Sequence, residues 1–341
     1  MVDDQQRLFR LALERMGLVR PGESLTLESL AGGVSSDIFR AVWPQGSACV
    51  KRALPKLKVK ADWQAPVERN RWEVEWMRVA GAVEPSAVPA ILGEDSEAGM
   101  FAMAYLDPDL HPVWKLQLRD GIVDPRVARA VGRRLAHIHA ATAADPSIPE
   151  RFATDHIFHP IRLEPYLVAT AHEHPEVSPQ LLQLVEVTAS TKRALVHGDV
   201  SPKNILVGPD GPVFLDAECA WFGDPAFDVA FCLNHLLLKC LWRPQWWARY
   251  LDCFSALYGT YLGRVTWESR DGLEARIARL LPGLFLARVD GKSPAEYITE
   301  EADRDRVRRV ACQLLLRPVD RLSHVSEAWR TEVGLDPRSL H

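Results

Sequence analysis

The stretch LVHGDVSPKNILVGPDGPVFLDAE, residues 195–218, places acidic and amide side chains at fixed spacings between short apolar runs. His-Gly-Asp interrupts the first run, and the turn residues Gly-Pro-Asp-Gly-Pro separate ILV from VFLD. That pattern predicts a strand, a tight loop and then a hairpin. Asp199 and Asn204 therefore share one loop, and Asp216 lies at the end of the next strand.

These residue types in this order suit phosphoryl transfer. A kinase-type site needs a carboxylate that orients the attacking hydroxyl and accepts its proton, and it needs an Asn and a second Asp that hold Mg²⁺ against the nucleotide phosphates. Asp199, Asn204 and Asp216 supply that set. Asp and Asn also occupy ordinary turns. The full order of His-Gly-Asp, Asn, hairpin and Asp-x-Glu is more demanding, and it favours a kinase.

The stretch resembles the catalytic core of the aminoglycoside phosphotransferase and choline kinase superfamily, whose members share the protein-kinase-like fold. His-Gly-Asp stands where protein kinases have His-Arg-Asp. The Asp-Ala-Glu at 216–218 is similar to the Asp-x-Glu of methylthioribose kinases, in which both acids lie at the metal. The resemblance therefore adds Glu218 to Asn204 and Asp216 as a metal ligand. Asp228 matches a family Asp that braces the catalytic loop, with a helix-capping acid as the alternative.

The resemblance implies an α+β, two-lobed, protein-kinase-like fold. A small nucleotide-binding lobe with an antiparallel sheet is expected at residues 1–106, and a large, mostly helical catalytic and substrate-binding lobe at 107–341. With 341 residues and 47% hydrophobic residues, the chain can bury a core of that size. Its net charge is −4, and acidic and basic residues are interspersed along the chain. This pattern does not favour nucleic acid or an anionic membrane as a partner.

Several further patterns restrict the class of protein. No apolar run reaches about 18 residues, and the N-terminus lacks an apolar signal core, so we expect a soluble cytoplasmic protein. The six cysteines lack metal-site spacing and are expected to be reduced thiols. The absence of a G-x-x-x-x-G-K-[ST] motif removes another common nucleotide-binding class.

In the small lobe, the resemblance implies a lysine that binds phosphate and a glutamate that holds it. Lys51, after Ala-Cys-Val, matches the family lysine on the third strand. The segment VERNRWEVEWMRVAGA is predicted to be helical, and this helix would supply the glutamate. Glu73 aligns best with the family pattern, and Glu75 is the alternative.

Further nucleotide contacts are implied by the same resemblance. A glycine-rich turn would cover the phosphates, because small residues let backbone N–H groups approach phosphate oxygens. The strand GMFAMAYL would connect the lobes, with backbone amides at the adenine edge and a methionine as a wall of the pocket. The residues concerned are Gly32, Gly33, Ser35, Met103, Ala104 and Leu106.

The acceptor is expected to be a neutral or anionic sugar derivative rather than a polycationic antibiotic. Residues 267–309 carry nine acidic and nine basic side chains, not the carboxylate excess that a polycation would need. Trp242 and its aromatic neighbours would form a cage for choline only by leaving the helix-packing core. Methylthioribose kinases carry two adjacent arginines that reach the sugar, whereas the matching place here reads Arg317-Pro318. We therefore predict a related sugar kinase with a different acceptor.

The sequence thus predicts a Mg²⁺-dependent kinase that transfers the γ-phosphate of ATP, with GTP as the alternative donor, to a hydroxyl of a small polar molecule. Aminoglycoside or choline phosphotransferases and a catalytically silent nucleotide-binding module are the other hypotheses. A protein kinase is disfavoured because GDPAFDVAF follows Asp216 without an activation segment. The oligomeric state is left open, with a homodimer as one alternative.

Overall fold

The computed structural model describes residues 2–30, 36–54 and 68–334. The strands of its small lobe are β1 (Thr26–Ser29), β2 (Ser36–Trp43), β3 (Gly46–Ala53), β4 (Ile91–Asp95) and β5 (Met100–Ala104). They form one antiparallel sheet in the order β1-β2-β3-β5-β4. The antiparallel sheet predicted for the small lobe is therefore confirmed.

Helices α1 (Val2–Arg15) and α2 (Arg69–Val83) complete the small lobe. Because side chains alternate along a strand, β3 contributes to two different clusters. Val50 is fully buried in a cluster with Phe9 and Leu13 of α1. Cys49 instead joins the main core, together with Trp76 of α2. This alternation also directs Lys51, two residues after Cys49, to the side of the sheet where α2 lies.

The large lobe is mostly helical, as predicted. Its helices, in chain order, are α3 (Trp114–Arg119), α4 (Pro125–Ala143), α5 (Ile148–Arg151), α6 (Asp155–Phe158), a π-helical segment (His159–Val168), α7 (Ala169–Glu173), α8 (Ser178–Ser190), α9 (Ala226–Trp242), α10 (Trp247–Leu262), α11 (Arg270–Asp290), α12 (Glu301–Leu316) and α13 (Leu322–Gly334). Single 3₁₀ turns span Pro85–Ala87, Pro202–Asn204 and Pro244–Trp246. Within the described ranges, no helix combines the length and apolar character that crossing a membrane requires.

Four short strands form at and around the motif-bearing stretch, residues 195–218. They are β6 (Ala194–Val196), β7 (Ile205–Gly208), β8 (Gly211–Phe214) and β9 (Trp221–Gly223). β7 and β8 form the expected hairpin, and β6 pairs antiparallel with β9. The loop from β6 to β7 is therefore fixed at both ends by sheet hydrogen bonds.

Helix α9 lies at the centre of the large lobe, and every residue from Ala226 to Leu241 is buried. A helix that is apolar all round packs on every side, and α9 contacts both α10 and α11. Its sequence, AFDVAFCLNHLLLKCLW, nevertheless contains Asp228, His235 and Lys239, whose side chains are also buried. Charged and polar groups are costly to bury unless they have partners, so each of the three calls for a specific contact.

Candidate active site

The loop that follows β6 is held in a fixed shape by the first turn of α9. The two carboxylate oxygens of Asp228 accept the N–H groups of His197, at 2.7 Å, and Gly198, at 2.8 Å. Gly198 has a φ of +80°, and a Cβ there would lie 2.8 Å from Cys219, so only glycine fits. The predicted bracing role of Asp228 is confirmed by these hydrogen bonds. His139 adds to the brace, because its Nε2 lies 3.3 Å from Asp228.

Asp199 is buried in this loop between two cations. Its Oδ2 lies 3.0 Å from Nη2 of Arg162 and 3.3 Å from Nζ of Lys203. Arg162 belongs to the π-helical segment and also donates through Nε to the carbonyl of Gly198. These contacts fix the orientation of the carboxylate. Neither cation was predicted from the sequence, although Lys203 lies within the motif and Arg162 stands between Ile161 and Leu163.

Lys51 pairs with two carboxylates, one in its own lobe and one in the large lobe. Its Nζ lies 2.6 Å from Oε2 of Glu73 and also forms an ion pair with Asp216. Burial raises the pKa of Glu73 to about 7 even though the Lys51 ammonium opposes this. Burial disfavours the charged form of Asp216 too, but the ammonium groups of Lys51 and Lys203 outweigh it and hold its pKa below the usual range.

The geometry distinguishes the two candidate glutamates of α2. Glu73 is buried and reaches Lys51. Glu75 points to the surface instead and pairs with Arg78, at 2.8 Å, and with Arg151, at 2.7 Å. Because residues two positions apart in an α-helix point to nearly opposite sides, a shift of two residues is enough to turn the side chain away from β3. Glu73 is therefore the partner of Lys51.

The predicted metal ligands differ in their surroundings. Asn204 and Asp216 line the same cleft, and their amide and carboxylate oxygens are ligands that Mg²⁺ accepts. Glu218 is buried and forms an ion pair with Nε of Arg69 at 2.9 Å. Nη2 of Arg69 also donates to the carbonyl of Leu54, at 2.8 Å. The donor set of Asn204 and Asp216 fits a magnesium ion, whereas Glu218 would have to share its carboxylate with Arg69.

The nucleotide-sized cleft between the lobes has an apolar and a polar end. Leu30, Ile38 and Leu206 line the apolar end, which suits a flat base, and Lys51 and Asp216 line the polar end. The residues predicted for the adenine edge also border this cleft: Met103, Ala104 and Leu106. The predicted phosphate-covering turn with Gly32, Gly33 and Ser35 lies outside the described residues.

The backbone hydrogen bonds of the segment that connects the two lobes, residues 104–106, show which amide is free for a ligand. The Ala104 N–H already donates to the carbonyl of Ala90, at 2.8 Å. The N–H of Leu106 has no backbone acceptor among the residues that the structure describes. Leu106 is therefore the better-placed donor to a nucleotide base.

The two residues predicted for the acceptor lie in different places. Trp242, at the end of α9, is half-buried and stacks on Tyr297 with 4.5 Å between ring centroids. Arg317 is exposed just after α12 and is absent from the described linings of the nucleotide cleft and of the smaller pocket beside Lys203. Its contact with the acceptor stays a prediction that this position does not support.

A five-stranded antiparallel lobe, a helical lobe, and an Asn and an Asp that share the cleft with a lysine define a protein-kinase-like phosphotransferase fold. A family model described as the phosphotransferase enzyme family matches residues 26–273. The chain belongs to that family, which confirms the resemblance proposed from the motifs.

Known proteins are similar to this chain at low identity. Methylthioribose kinase 2 of Oryza sativa is 24% identical over an alignment of 248 residues, with 63% of this chain and 57% of that protein covered. Methylthioribose kinase of Escherichia coli is 27% identical over 255 residues, covering 66% of this chain and 60% of that protein. The chain thus spans about three-fifths of the length of these relatives.

Two solved structures share the fold. A choline/ethanolamine kinase family protein from Mesorhizobium loti has a TM-score of 0.54 at 17% identity, over 95% of this chain and 99% of that one. An amicoumacin kinase solved with AMP-PNP and Ca²⁺ has a TM-score of 0.57 at 12% identity, over 94% of this chain and 98% of that one. At such identities the likeness establishes the fold alone.

Proposed function

We propose that this protein transfers the γ-phosphate of ATP to a hydroxyl group of a small, sugar-like polar molecule. The observation that carries the proposal is the convergence of Asn204, Asp216 and the Lys51–Glu73 pair at one cleft, with Asp199 beside Lys203, which also lines that cleft. A catalytically silent relative would ordinarily lack one of these groups, and all of them are present. GTP is the alternative donor, since the base contacts proposed here are mainly apolar.

In the proposed complex, the base lies against Met103 and accepts a hydrogen bond from the N–H of Leu106, and Lys51, held by Glu73, binds the phosphates. Asn204 and Asp216 would hold Mg²⁺, with Glu218 as a further candidate, and the bound ion supplies neutralisation of phosphate charge. Asp216 is paired with Lys51 in the described state. Nucleotide binding therefore requires the two side chains to exchange partners.

Asp199 is proposed to be the catalytic carboxylate. It would orient the acceptor hydroxyl and accept its proton as the new oxygen–phosphorus bond forms and the bond to the β,γ-bridging oxygen breaks, which leaves ADP. Arg162 is a positioning residue that fixes this carboxylate, and Lys203 would offset charge on the transferred group. Because the transition state is loose, orientation should contribute more than proton removal.

The test is ADP release measured with Mg-ATP and a library of sugars, hydroxy acids, amino alcohols and aminoglycosides. Asp199→Asn is expected to lower kcat by about 10²–10⁴-fold and to leave Mg-ATP affinity nearly unchanged, because it removes only the proton acceptor. A variant that turns over within a few-fold of wild type would remove Asp199 from this role. A wild-type protein that fails to bind Mg-ATP would refute the kinase function.

The lobe boundary, the cellular location and the binding partners are also proposed. We propose a lobe boundary near residue 106, because β5 ends at Ala104 and α3 begins at Trp114. We propose a cytoplasmic location, which the six unpaired cysteines favour. The proposed partner is the small acceptor rather than nucleic acid or a membrane, and a homodimer stays one alternative for the assembly.

A further inference from the structure

A second pocket lies beside the catalytic loop, apart from the nucleotide cleft. It is lined by Lys115, Lys203, His235, Lys239, Arg288 and Tyr297, and we call it the basic pocket. Lys203 borders both the basic pocket and the nucleotide cleft. Because Nζ of Lys203 lies 3.3 Å from Asp199, the two spaces meet where phosphoryl transfer is proposed to occur. The basic pocket is therefore in position to hold the acceptor.

The lining is strongly positive. Glu296 is the one acid that borders the basic pocket in the described part of the chain, and it is already paired with Lys115. Lys239 and Arg288 have no carboxylate partner among the described residues. A cation as an acceptor would be repelled here, whereas an anion would be attracted.

Lys239 is the most unusual member of the pocket. It is 1% exposed on α9, and the structure as described gives its ammonium no oxygen acceptor. The ammonium lies over the rings of Tyr297, at 3.9 Å, and Trp242, at 4.6 Å. Aromatic faces attract cations but leave their hydrogen-bond donors unused. An unpaired ammonium is costly to bury, and an anionic ligand would remove that cost.

Two neighbouring donors are also unsatisfied. Nε of Arg288 and the hydroxyl of Tyr297 are buried with no partner in the part of the chain that the structure describes. Nη1 of Arg288 is held by the carbonyl and hydroxyl of Ser293, so the guanidinium is fixed in place. Burial and the nearby Lys115 lower the pKa of Lys239, and an anion beside it would favour the charged form. The Lys239 ammonium, Nε of Arg288 and the Tyr297 hydroxyl are therefore three donors without an acceptor oxygen among the described residues.

We propose that the basic pocket binds a carboxylate or phosphate group of the acceptor, so that the phosphorylated molecule is a small hydroxy acid or a phosphorylated alcohol or sugar. This inference rests on the proposed kinase function. The pocket has a volume of about 30 Å³, which suits a single anionic group of a bound molecule. Neutral sugars, choline and aminoglycosides lack the group that the lysines and arginine would bind.

The test uses acceptors that share a carbon skeleton but differ in charge. Glycerol, glycerate and glycerol 3-phosphate form one such set, and pentose and pentose phosphate form another. With Mg-ATP, we expect kcat/KM for the anionic member to exceed that of the neutral member by about 10–100-fold, the factor expected for one or two charge-assisted hydrogen bonds. The carboxylate and phosphate members distinguish the two sources of negative charge.

Lys239→Met and Arg288→Met should remove that preference by raising KM, and Lys292→Met is the matched control. Lys292 is an exposed lysine of the same lobe that pairs with Glu164. The melting temperature of Lys239→Met should equal or exceed that of wild type, because an unpaired buried charge is removed. A loss of anion preference in a fully folded variant would thus not be a folding defect.

A binding measurement makes the result independent of turnover. With the nucleotide cleft filled by Mg-AMP-PNP, inorganic phosphate and glycerate are titrated by calorimetry into wild type, Lys239→Met and Lys292→Met. Binding that Lys239→Met alone weakens supports the proposal. Equal binding by all three proteins, or efficient turnover of neutral or cationic acceptors, would overturn the anion site and leave the kinase function standing. Lysine-dependent anion binding by a protein that binds no Mg-ATP would refute the kinase function instead.

Discussion

Asp216 adopts a φ of +68°, which residues other than glycine rarely hold. The left-handed region costs an L residue about 1–2 kcal/mol, and such outliers concentrate where a side chain must be aimed at a ligand. Here the strained backbone turns the carboxylate into the cleft, where it meets Lys51 and lies beside Asn204. Strain, ion pair and cleft position all favour the proposal that Asp216 is the principal metal ligand.

Asp216→Ala is expected to weaken Mg-ATP binding by at least about 100-fold, because it deletes a carboxylate that the ion needs to bridge the phosphates. Binding of ATP without metal should change less, since Lys51 and Glu73 remain. Calorimetry with and without Mg²⁺ measures both quantities. Asp216→Asn is the matched variant, because it keeps the shape of the side chain and its tolerance of the left-handed conformation. Unchanged Mg-ATP affinity in Asp216→Ala would mean that Glu218 or another acid, rather than Asp216, binds the metal.

At the scale of elements, the first turn of α9 acts as the support of the catalytic loop. Asp228 is fully buried and accepts two backbone N–H groups of the loop that carries Asp199. An amide in its place has one acceptor oxygen, so one N–H group would lose its partner and face another donor. The loop geometry therefore depends on a residue that touches neither nucleotide nor acceptor.

Asp228→Asn is expected to lower the free energy of unfolding by about 2–4 kcal/mol, the cost of an unsatisfied buried donor next to a charged group. It should also lower kcat at least about 10-fold at temperatures where the variant is folded. The control is Asp224→Asn, since Asp224 is equally buried but pairs with Arg276 and the N–H of Ala226 rather than with the loop. Denaturant unfolding and steady-state kinetics give both readouts. Equal losses of kcat in the two variants would contradict a specific bracing role.

At the scale of the whole molecule, His174 ties the end of α7 to the end of α11. Its Nε2 lies 2.8 Å from Asp290, and its Nδ1 lies 2.9 Å from Glu176. Burial lowers the pKa of His174, but the two carboxylates outweigh that effect, so its pKa lies above the ordinary value of 6.5. The charged imidazolium therefore stabilises the folded chain fully below pH 6.5, and this contribution is lost as the pH rises through the raised value.

His174→Gln is accordingly expected to lower the melting temperature more at pH 6 than at pH 9. Thermal unfolding of both proteins at the two pH values measures the difference. His156→Gln serves as the control, because His156 pairs with Glu68 on the exposed surface, where an ion pair contributes little. A melting-temperature difference independent of pH would show that His174 acts through packing rather than through its charge.

The sequence by itself was sufficient for the features that depend on local spacing. Asp199, Asn204 and Asp216 are close in the chain, and a hairpin with clear turn residues separates the last two, so their order already implied a shared site. The small antiparallel sheet and the helical lobe were predicted from the resemblance of this stretch to the aminoglycoside phosphotransferase and choline kinase superfamily. The family pattern favoured Glu73 over Glu75 as the partner of Lys51. The structure then decided between them, since residues two apart on a helix point to different faces.

Only the tertiary structure could show which cations gather beside Asp199 and in the basic pocket. Arg162, Lys203, Lys239 and Arg288 come from the π-helical segment, the catalytic loop, α9 and α11, and no spacing in the sequence connects them. The even balance of charge over residues 267–309 gave no sign of this cluster, because Arg288 is its only member in that range and the other three lie earlier in the chain. Arg317 matched a register in the sequence, but it lies exposed just after α12 and is absent from the described lining of the cleft. Distances between elements are set by helix packing, and packing is a property of the whole fold rather than of any local pattern.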